Sequence, residues 1–185
     1  MPVPAARLRP VAAPSSLQLQ SVIEAFGQQG WHCDPIEGRE VVTSAFEAHH
    51  THIHLHAQAF PQLNALAVVA EAPLNLPPTH LAAGLELLMR ANKQLTLGAF
   101  EYDFEREQIV FRITNLFDRE RFDADLISSM VHCSIAELDR LTPLALTLAR
   151  TAPDVLSDLS IPLLLEREDL LPPVPGDESG EEEEL

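Results

Sequence analysis

A cluster of histidines between positions 49 and 56 is the part of the chain whose residue types and spacing best suit chemistry. From Thr51 to Phe60, apolar residues alternate with polar ones, which predicts a strand with one solvated face. Same-face neighbours on a strand lie roughly 6.5–7 Å apart. Imidazole nitrogens at this spacing suit zinc or copper, and their ordinary pKa of about 6.5 suits a pH sensor. The candidate metal ligands are His50, His52, His54 and His56.

A structural or catalytic metal site usually needs a third or fourth ligand from elsewhere in the chain. The sequence identifies no such ligand. We therefore predict a solvent-facing polar strand, no resident metal and no cofactor. Metal binding and pH sensing by these histidines remain alternative hypotheses.

Catalytic constellations are not evident elsewhere in the sequence. The carboxylates Glu101, Asp103, Glu105 and Glu107 bracket a hairpin, so they more simply solvate a turn than act as acid and base. Ser128, Ser129 and His132 have helical spacing, but no nucleophile elbow of the Gly-x-Ser-x-Gly type surrounds the serines. Seven glycines form no phosphate loop. We predict that the protein has no catalytic residue and is not an enzyme.

Composition excludes several classes of partner. The net charge is −16, divided between −8 for residues 1–165 (19 acidic, 11 basic) and −8 for residues 166–185 (9 acidic, 1 basic). Phosphate contacts require basic surfaces, so nucleic-acid binding is disfavoured. No apolar run approaches the roughly 20 residues that span a bilayer, which predicts no membrane insertion and a cytoplasmic location.

The two cysteines, Cys33 and Cys133, suit partly buried thiols.

Hydrophobic periodicity predicts the secondary structure. The predicted helices lie at about 16–29, from Pro77 to Asn92 and from Asp123 onward, and the predicted strands at about 31–36, 40–47, 51–60, 65–71, 97–104 and 108–115. In the second helix the expected apolar stripe is Leu81, Leu85, Leu88 and Met89. Ser134 resembles a capping residue, so we expect the last helix to restart there, and Pro143 either kinks it or begins another turn. The predicted fold is α+β: an antiparallel sheet with helices on one face, in the order α-β-β-β-α-β-β-α.

The expected domain organisation is a folded core with tails. We predict a Pro- and Ala-rich disordered leader at residues 1–14, a domain at 15–152 and a Pro/Leu-containing extension at 153–171. Residues 172–185 are acidic and poor in apolar side chains, which predicts a disordered tail. Leu163 to Leu165, Leu170 and Leu171 either dock on this chain, dock on a partner, or pack loosely.

Several features occur in a characteristic order in the second half of the chain. A helix ends in Arg90-Ala-Asn92, Leu97-Gly98-Ala-Phe100 and Asp103 follow, then the strand Ile109-Val-Phe-Arg-Ile113, and then a helix with Asp139 and Pro143. Trp31 directly after Gly30 suits a helix-to-strand junction. In these features the chain resembles the YbjN family, bacterial proteins that share the type III secretion chaperone-like fold, over roughly residues 17–151.

The resemblance implies a non-enzymatic bacterial domain described as a sensory transduction regulator. The wider fold superfamily includes dimeric chaperones that hold extended secretion substrates. We therefore expect a homodimeric, chaperone-like regulator that binds a segment of a partner protein. A dedicated type III secretion chaperone is one alternative, and a small metal-binding protein that uses the histidine strand is another. The resemblance implies no catalytic residues, and it does not account for the histidine strand, the leader or the acidic tail.

Overall fold

The computed structural model describes residues 15–166. The helices are α1 (Leu17–Gln28), α2 (Leu81–Asn92), α3 (Ala124–Arg150) and α4 (Ile161–Glu166). The strands are β1 (Asp34–Pro35), β2 (Val41–Glu47), β3 (His52–Phe60), β4 (Ala65–Asn75), β5 (Ala99–Asp103) and β6 (Gln108–Leu116). The predicted leader at 1–14 and the predicted acidic tail at 172–185 lie outside the described residues. Among residues 15–166, no helix combines the length and apolar character that crossing a membrane requires.

Local signals fix the ends of α1 as predicted. The Ser16 hydroxyl oxygen accepts a hydrogen bond from the Leu19 amide at 3.0 Å, which satisfies one of the free N–H groups of the first turn. The Ser16 amide donates to the Glu40 carboxylate at 3.2 Å, and this bond joins the start of α1 to the chain just before β2. Gly30 follows the helix in the left-handed region, with φ +72°.

The six strands form one antiparallel sheet in the order β1-β2-β3-β4-β6-β5. Hairpins connect β2 to β3, β3 to β4 and β5 to β6, whereas α2 carries the chain from β4 to the opposite edge. The predicted α+β class is confirmed, and the helix–strand order roughly matches the prediction, with four strands rather than three before α2 and with α4 after α3.

The helices cover one face of this sheet. Alternate residues of the strands, such as Ile53, Leu55 and Phe111, are fully buried in one core with Phe26 of α1 and Leu138 of α3. Most residues of the opposite parity on β3, including His52, His54 and Gln58, are exposed. The period-2 pattern of β3 therefore identifies its core side correctly.

Helix α3 runs without interruption for 27 residues, so the expected restart at Ser134 is wrong. The Ser134 hydroxyl donates to the Met130 carbonyl at 2.8 Å inside the helix and caps nothing. Pro143 lies within the helix, where it lacks an N–H to donate. The helix continues through it because Leu141 and Leu144 on either side are completely buried, and this burial outweighs the lost hydrogen bond.

Tertiary packing shifts other predicted boundaries. The strand expected at 31–36 is reduced to Asp34–Pro35, since proline has no N–H to extend the ladder, and β4 continues beyond Glu71 to Asn75 across an irregularity in its pairing with β6. In α2 the buried stripe is Gly84, Leu87, Leu88 and Ala91, whereas Met89 is 68% exposed. The predicted stripe was thus rotated by part of a turn.

The β5–β6 turn lies where the charged residues predict it. Asp103 accepts hydrogen bonds from the amides of Glu105 and Arg106 at 2.9 and 3.0 Å, which is the usual role of Asp in a turn. Phe104 ends the strand predicted at about 97–104, but it lies in this turn and is 65% exposed. The strand ends at Asp103, so the alternation no longer applies to Phe104.

The chain after α3 returns to the helical side of the molecule. The buried side chain of His80, just before α2, lies 2.7 Å from the Thr151 carbonyl and so holds the end of α3 against the start of α2. Residues 152–160 are mostly exposed. Helix α4 then packs on α2, and its Ile161 and Leu165 belong to the same buried core. Part of the leucine-bearing extension therefore docks on its own chain.

Candidate functional site

The uncovered face of the sheet, which we call the open face, carries the three β3 histidines, His52, His54 and His56, and several charged residues. Strand pairing aligns its residues in rows that cross the strands. One row contains Ala45, His54, Glu71, Val110 and Glu101, and the next contains Thr43, His56, Val69, Arg112 and Ala99. Among the apolar residues of these rows, Ala45 is exposed and Ala99 is partly exposed, whereas Val69 and Val110 are buried, so the face presents mainly its charged and polar groups to solvent.

The histidines of the sequence hypothesis separate into two places. His50 lies in the turn before β3, where its backbone N–H donates to Asp139 of α3 at 2.7 Å and its ring Nδ1 lies 3.2 Å from the same carboxylate. It fastens the β2–β3 turn to a helix on the covered side. His52 and His54 remain on the open face, with ring centroids 4.9 Å apart. The Nδ1 of His52 lies 2.7 Å from the Glu47 carboxylate.

His56 belongs to an ion-pair network. Its Nδ1 lies 3.5 Å from Oε1 of Glu71, and the same oxygen accepts a hydrogen bond from Arg106 at 2.7 Å. Burial lowers the pKa of His56 below 6.5, and Arg112 and Arg106 lower it further, whereas Glu71 acts in the opposite direction. Arg106 already pairs with Glu71, which explains why the Glu71 carboxylate does not reverse the lowering of the pKa of His56.

A shallow depression of about 440 Å³ lies over β2 and β3 on this face. Its lining includes Arg39 from the β1–β2 turn and Arg106 from the β5–β6 turn, with His54, His56 and Glu71 between them. These groups provide hydrogen bonds and charges of both signs. They do not form the nucleophile–base–orienter arrangement of a covalent catalyst.

Metal and thiol chemistry have little structural support in the described part of the chain. Across residues 15–166, no three His, Cys, Asp or Glu side chains are arranged to hold a metal ion. Cys33 and Cys133 are free and half-buried, and burial is the main cause that raises the pKa of both thiols. A raised pKa reduces the thiolate fraction at neutral pH, so neither cysteine is activated as a nucleophile.

Asn92, which the sequence analysis named only as the end of a helix, closes an edge of the sheet. Asn92, at the end of α2, accepts a hydrogen bond from the Phe100 amide at 2.7 Å and donates one to the Phe100 carbonyl at 3.0 Å. Its amide thereby takes the place of a neighbouring strand beside β5. The only sequence signal was the position of an asparagine at the end of a helix, eight residues before the strand.

Replacing His56 with glutamine is expected to reduce the loss of stability at acidic pH. A histidine whose pKa is lowered on folding binds fewer protons in the native state, so its contribution to stability is present above about pH 6.5 and lost as the pH falls through the folded pKa. Urea unfolding of the unmodified chain and of His56→Gln between pH 5 and 8 measures how the free energy of unfolding of each protein changes with pH. His54→Gln is the control on the same strand and face. If the free energy of unfolding of His56→Gln changes with pH as it does in the unmodified chain, the lowered pKa of His56 is contradicted.

Comparisons with known proteins agree with this architecture. The YbjN family, described as "putative bacterial sensory transduction regulator", matches residues 18–145. The crystal structure of YbjN from E. coli, described as "a putative transcription regulator", has a TM-score of 0.52 with this chain at 10% identity, over 70% of this chain and 88% of that one. At this identity the likeness shows a shared fold. The comparison with curated proteins gives no match. The family match covers more than half of the residues of this chain, and the chain therefore belongs to the YbjN family.

Proposed function

We propose that the protein is a non-enzymatic, cytoplasmic regulator that binds a segment of another protein on the open face of its sheet. The carrying observation is that the six-stranded sheet is covered by helices on one side only, while the other side presents mainly charged and polar groups. The family description as a bacterial sensory transduction regulator supports a regulatory role.

The chemistry of the open face indicates the kind of segment that fits. Near its centre the exposed ion pair of Arg112 with Glu101, at 3.0 Å, lies beside the buried Val69 and Val110. An extended segment with charged side chains of both signs would match the exposed pair. Direct action on DNA is disfavoured, since a chain of net charge −16 repels phosphates.

Reversing one charge on this face tests the proposal. Affinity capture with the tagged full-length chain in its native cell is expected to recover a specific partner, and Arg112→Glu is expected to reduce its recovery at least about tenfold. Arg121→Glu is the matched control, because Arg121 forms a comparable exposed ion pair with Glu24 of α1. No specific partner, or equal losses for both variants, would overturn the proposal.

A homodimer is a related proposal, and the same variant examines it. If two copies meet through the open face, Arg112→Glu should convert a dimer into a monomer in sedimentation experiments, whereas Arg121→Glu should not. A dedicated type III secretion chaperone is a narrower form of the hypothesis. It requires that the captured partner be a secreted effector.

Metal handling is a second candidate, and the observation behind it is pairwise. The Nδ1 of His52 lies 2.7 Å from the carboxylate of Glu47 at the end of β2, and the rings of His52 and His54 are 4.9 Å apart, so a metal ion here would need ligands in addition to those that the described residues bring together. Zinc calorimetry on the untagged protein and on a triple alanine variant of His52, His54 and His56 tests it. Equal heats for the two proteins would exclude a metal site on the open face.

A further inference from the structure

Helix α4 packs on α2 although it is very short. We call the surface of α2 beneath and beside α4, which includes Arg90, Lys93 and Gln94, the α2 groove. Helix α4 has six residues, fewer than two turns, and helices this short are unstable in isolation. Ile161 and Leu165 are 4% and 6% exposed, whereas Leu163 between them is 59% exposed. The spacing of i and i+4 places the two buried side chains on one face. These two aliphatic anchors are the buried side chains of α4, and the partly buried Leu164 packs against the same core.

Helix α4 lies beyond the part of the chain that the family match covers. The family match ends at residue 145, inside α3, so α4 lies wholly outside it. A mostly exposed connection at residues 152–160 leads to it. In this chain the cover of α2 therefore comes from a segment outside the family match, joined to α3 by a mostly exposed connection.

The groove continues beside the end of α4. A depression of about 340 Å³ is lined by Arg90, Lys93 and Gln94 of the α2 end and by Pro162, Leu165 and Glu166 of the covering segment. Arg90 already pairs with Glu86 at 2.7 Å, whereas Lys93, the chain's single lysine, has no ion pair within residues 15–166. Cations at this end suit an acidic flank in whatever helix occupies the groove.

We propose that the α2 groove is a binding site for a helical segment of a partner protein, and that α4 occupies it as a displaceable, autoinhibitory cover. The partner's helical segment carries bulky aliphatic residues at positions i and i+4, followed by acidic residues. This is the helix-in-groove mode of recognition, in which one apolar face provides the anchors. The groove lies on the helical side of the molecule, so its test is independent of the open face.

Vacating the groove in the full-length chain tests the proposal. The probe is a fluorescein-labelled synthetic peptide with the sequence of residues 158–171, and its binding is measured by fluorescence anisotropy. Ile161→Ala/Leu165→Ala in the protein is expected to bind the probe at least about tenfold more tightly than the unmodified chain, because α4 no longer competes. Leu163→Ala, which changes an exposed leucine of the same helix, should behave like the unmodified chain.

The remaining outcomes are equally decisive. A probe with alanine at both anchor positions should not bind, and a probe with amides in place of its carboxylates should bind about threefold to tenfold more weakly. Equal affinity of the probe for all three proteins, or no binding to the double variant, would overturn the proposal. So would loss of cooperative unfolding in the double variant, or hydrogen exchange of α4 amides only through global unfolding, because either would make α4 a fixed part of the core. A dimer of the unmodified chain that the double variant abolishes would instead identify the occupant as a second copy.

Discussion

Replacing Gly98 with alanine is expected to lower the free energy of unfolding by about 3 kcal/mol. Gly98 precedes β5 with φ +72°, a left-handed conformation that costs a residue with a Cβ roughly 1–2 kcal/mol. A Cβ at this position would also lie 2.4 Å from Cζ of Phe111 and 2.9 Å from the Arg112 carbonyl oxygen. Phe111 is fully buried and the carbonyl belongs to β6, so neither atom can move without disturbing the sheet.

Gly38→Ala is the matched control for this substitution. Gly38 has φ +73°, but a Cβ there would meet nothing within 4 Å, so only the backbone cost of about 1 kcal/mol should remain. Urea unfolding followed by the fluorescence of Trp31, the single tryptophan, compares the two variants. The ring of Trp31 packs against Phe26 and Phe46 at 5.4 and 5.5 Å, so its emission reports on the core. Equal losses for the two variants would show that Gly98 is required for its conformation alone.

Replacing Asn92 with alanine is expected to lower the free energy of unfolding by about 2 kcal/mol. The change removes two hydrogen bonds, at 2.7 and 3.0 Å, and leaves the amide and carbonyl of buried Phe100 without these partners. The cost of an unpaired buried backbone group exceeds the net value of an ordinary hydrogen bond. The same change uncovers the outer edge of β5, which is a template for strand addition.

Asn115→Ala provides the comparison for Asn92. The Asn115 side chain donates only to the carbonyl of its neighbour Leu116, at 2.8 Å and in an exposed position, so its loss should cost no more than about 0.5 kcal/mol. Urea unfolding measures the stability of both variants, and light scattering detects association through the uncovered edge. If Asn92→Ala is no less stable than Asn115→Ala, the amide is not a significant link between α2 and β5.

The local elements were the most predictable part of this molecule. The alternation in β3 and the extent of the first helix appear in the structure as predicted, because each depends on neighbouring residues only: Ser16 caps the start of α1 and the left-handed Gly30 follows its end. The family was also recognisable, since the order of the helix, the Gly98 segment and the following strand can be read from the sequence. The errors at Ser134 and Met89 have the opposite cause. In both places burial against distant elements decided the outcome over local capping or periodicity.

The candidate sites show the same division. The sequence identified His52, His54 and His56 as a polar strand face, but it assigned His50 to that face as well. Their partners Glu47 and Glu71 come from neighbouring strands, and the partner of His50 is Asp139, 89 residues away. Pairs of this kind depend on strand register and helix packing, which a single chain position does not reveal.

By itself the sequence determined the class of the fold, the acidic charge and the inward-facing residues of β3, because the burial of apolar surface on one side of a strand imposes a local period of 2. Only the tertiary structure decided which residues of the other strands share the open face with the β3 histidines and which charges meet on it. It also decided that Asn92 closes the edge of β5 and that α4 covers α2. These outcomes depend on hydrogen bonds and packing between segments far apart in the chain, whose geometry exists only once the sheet and helices have assembled.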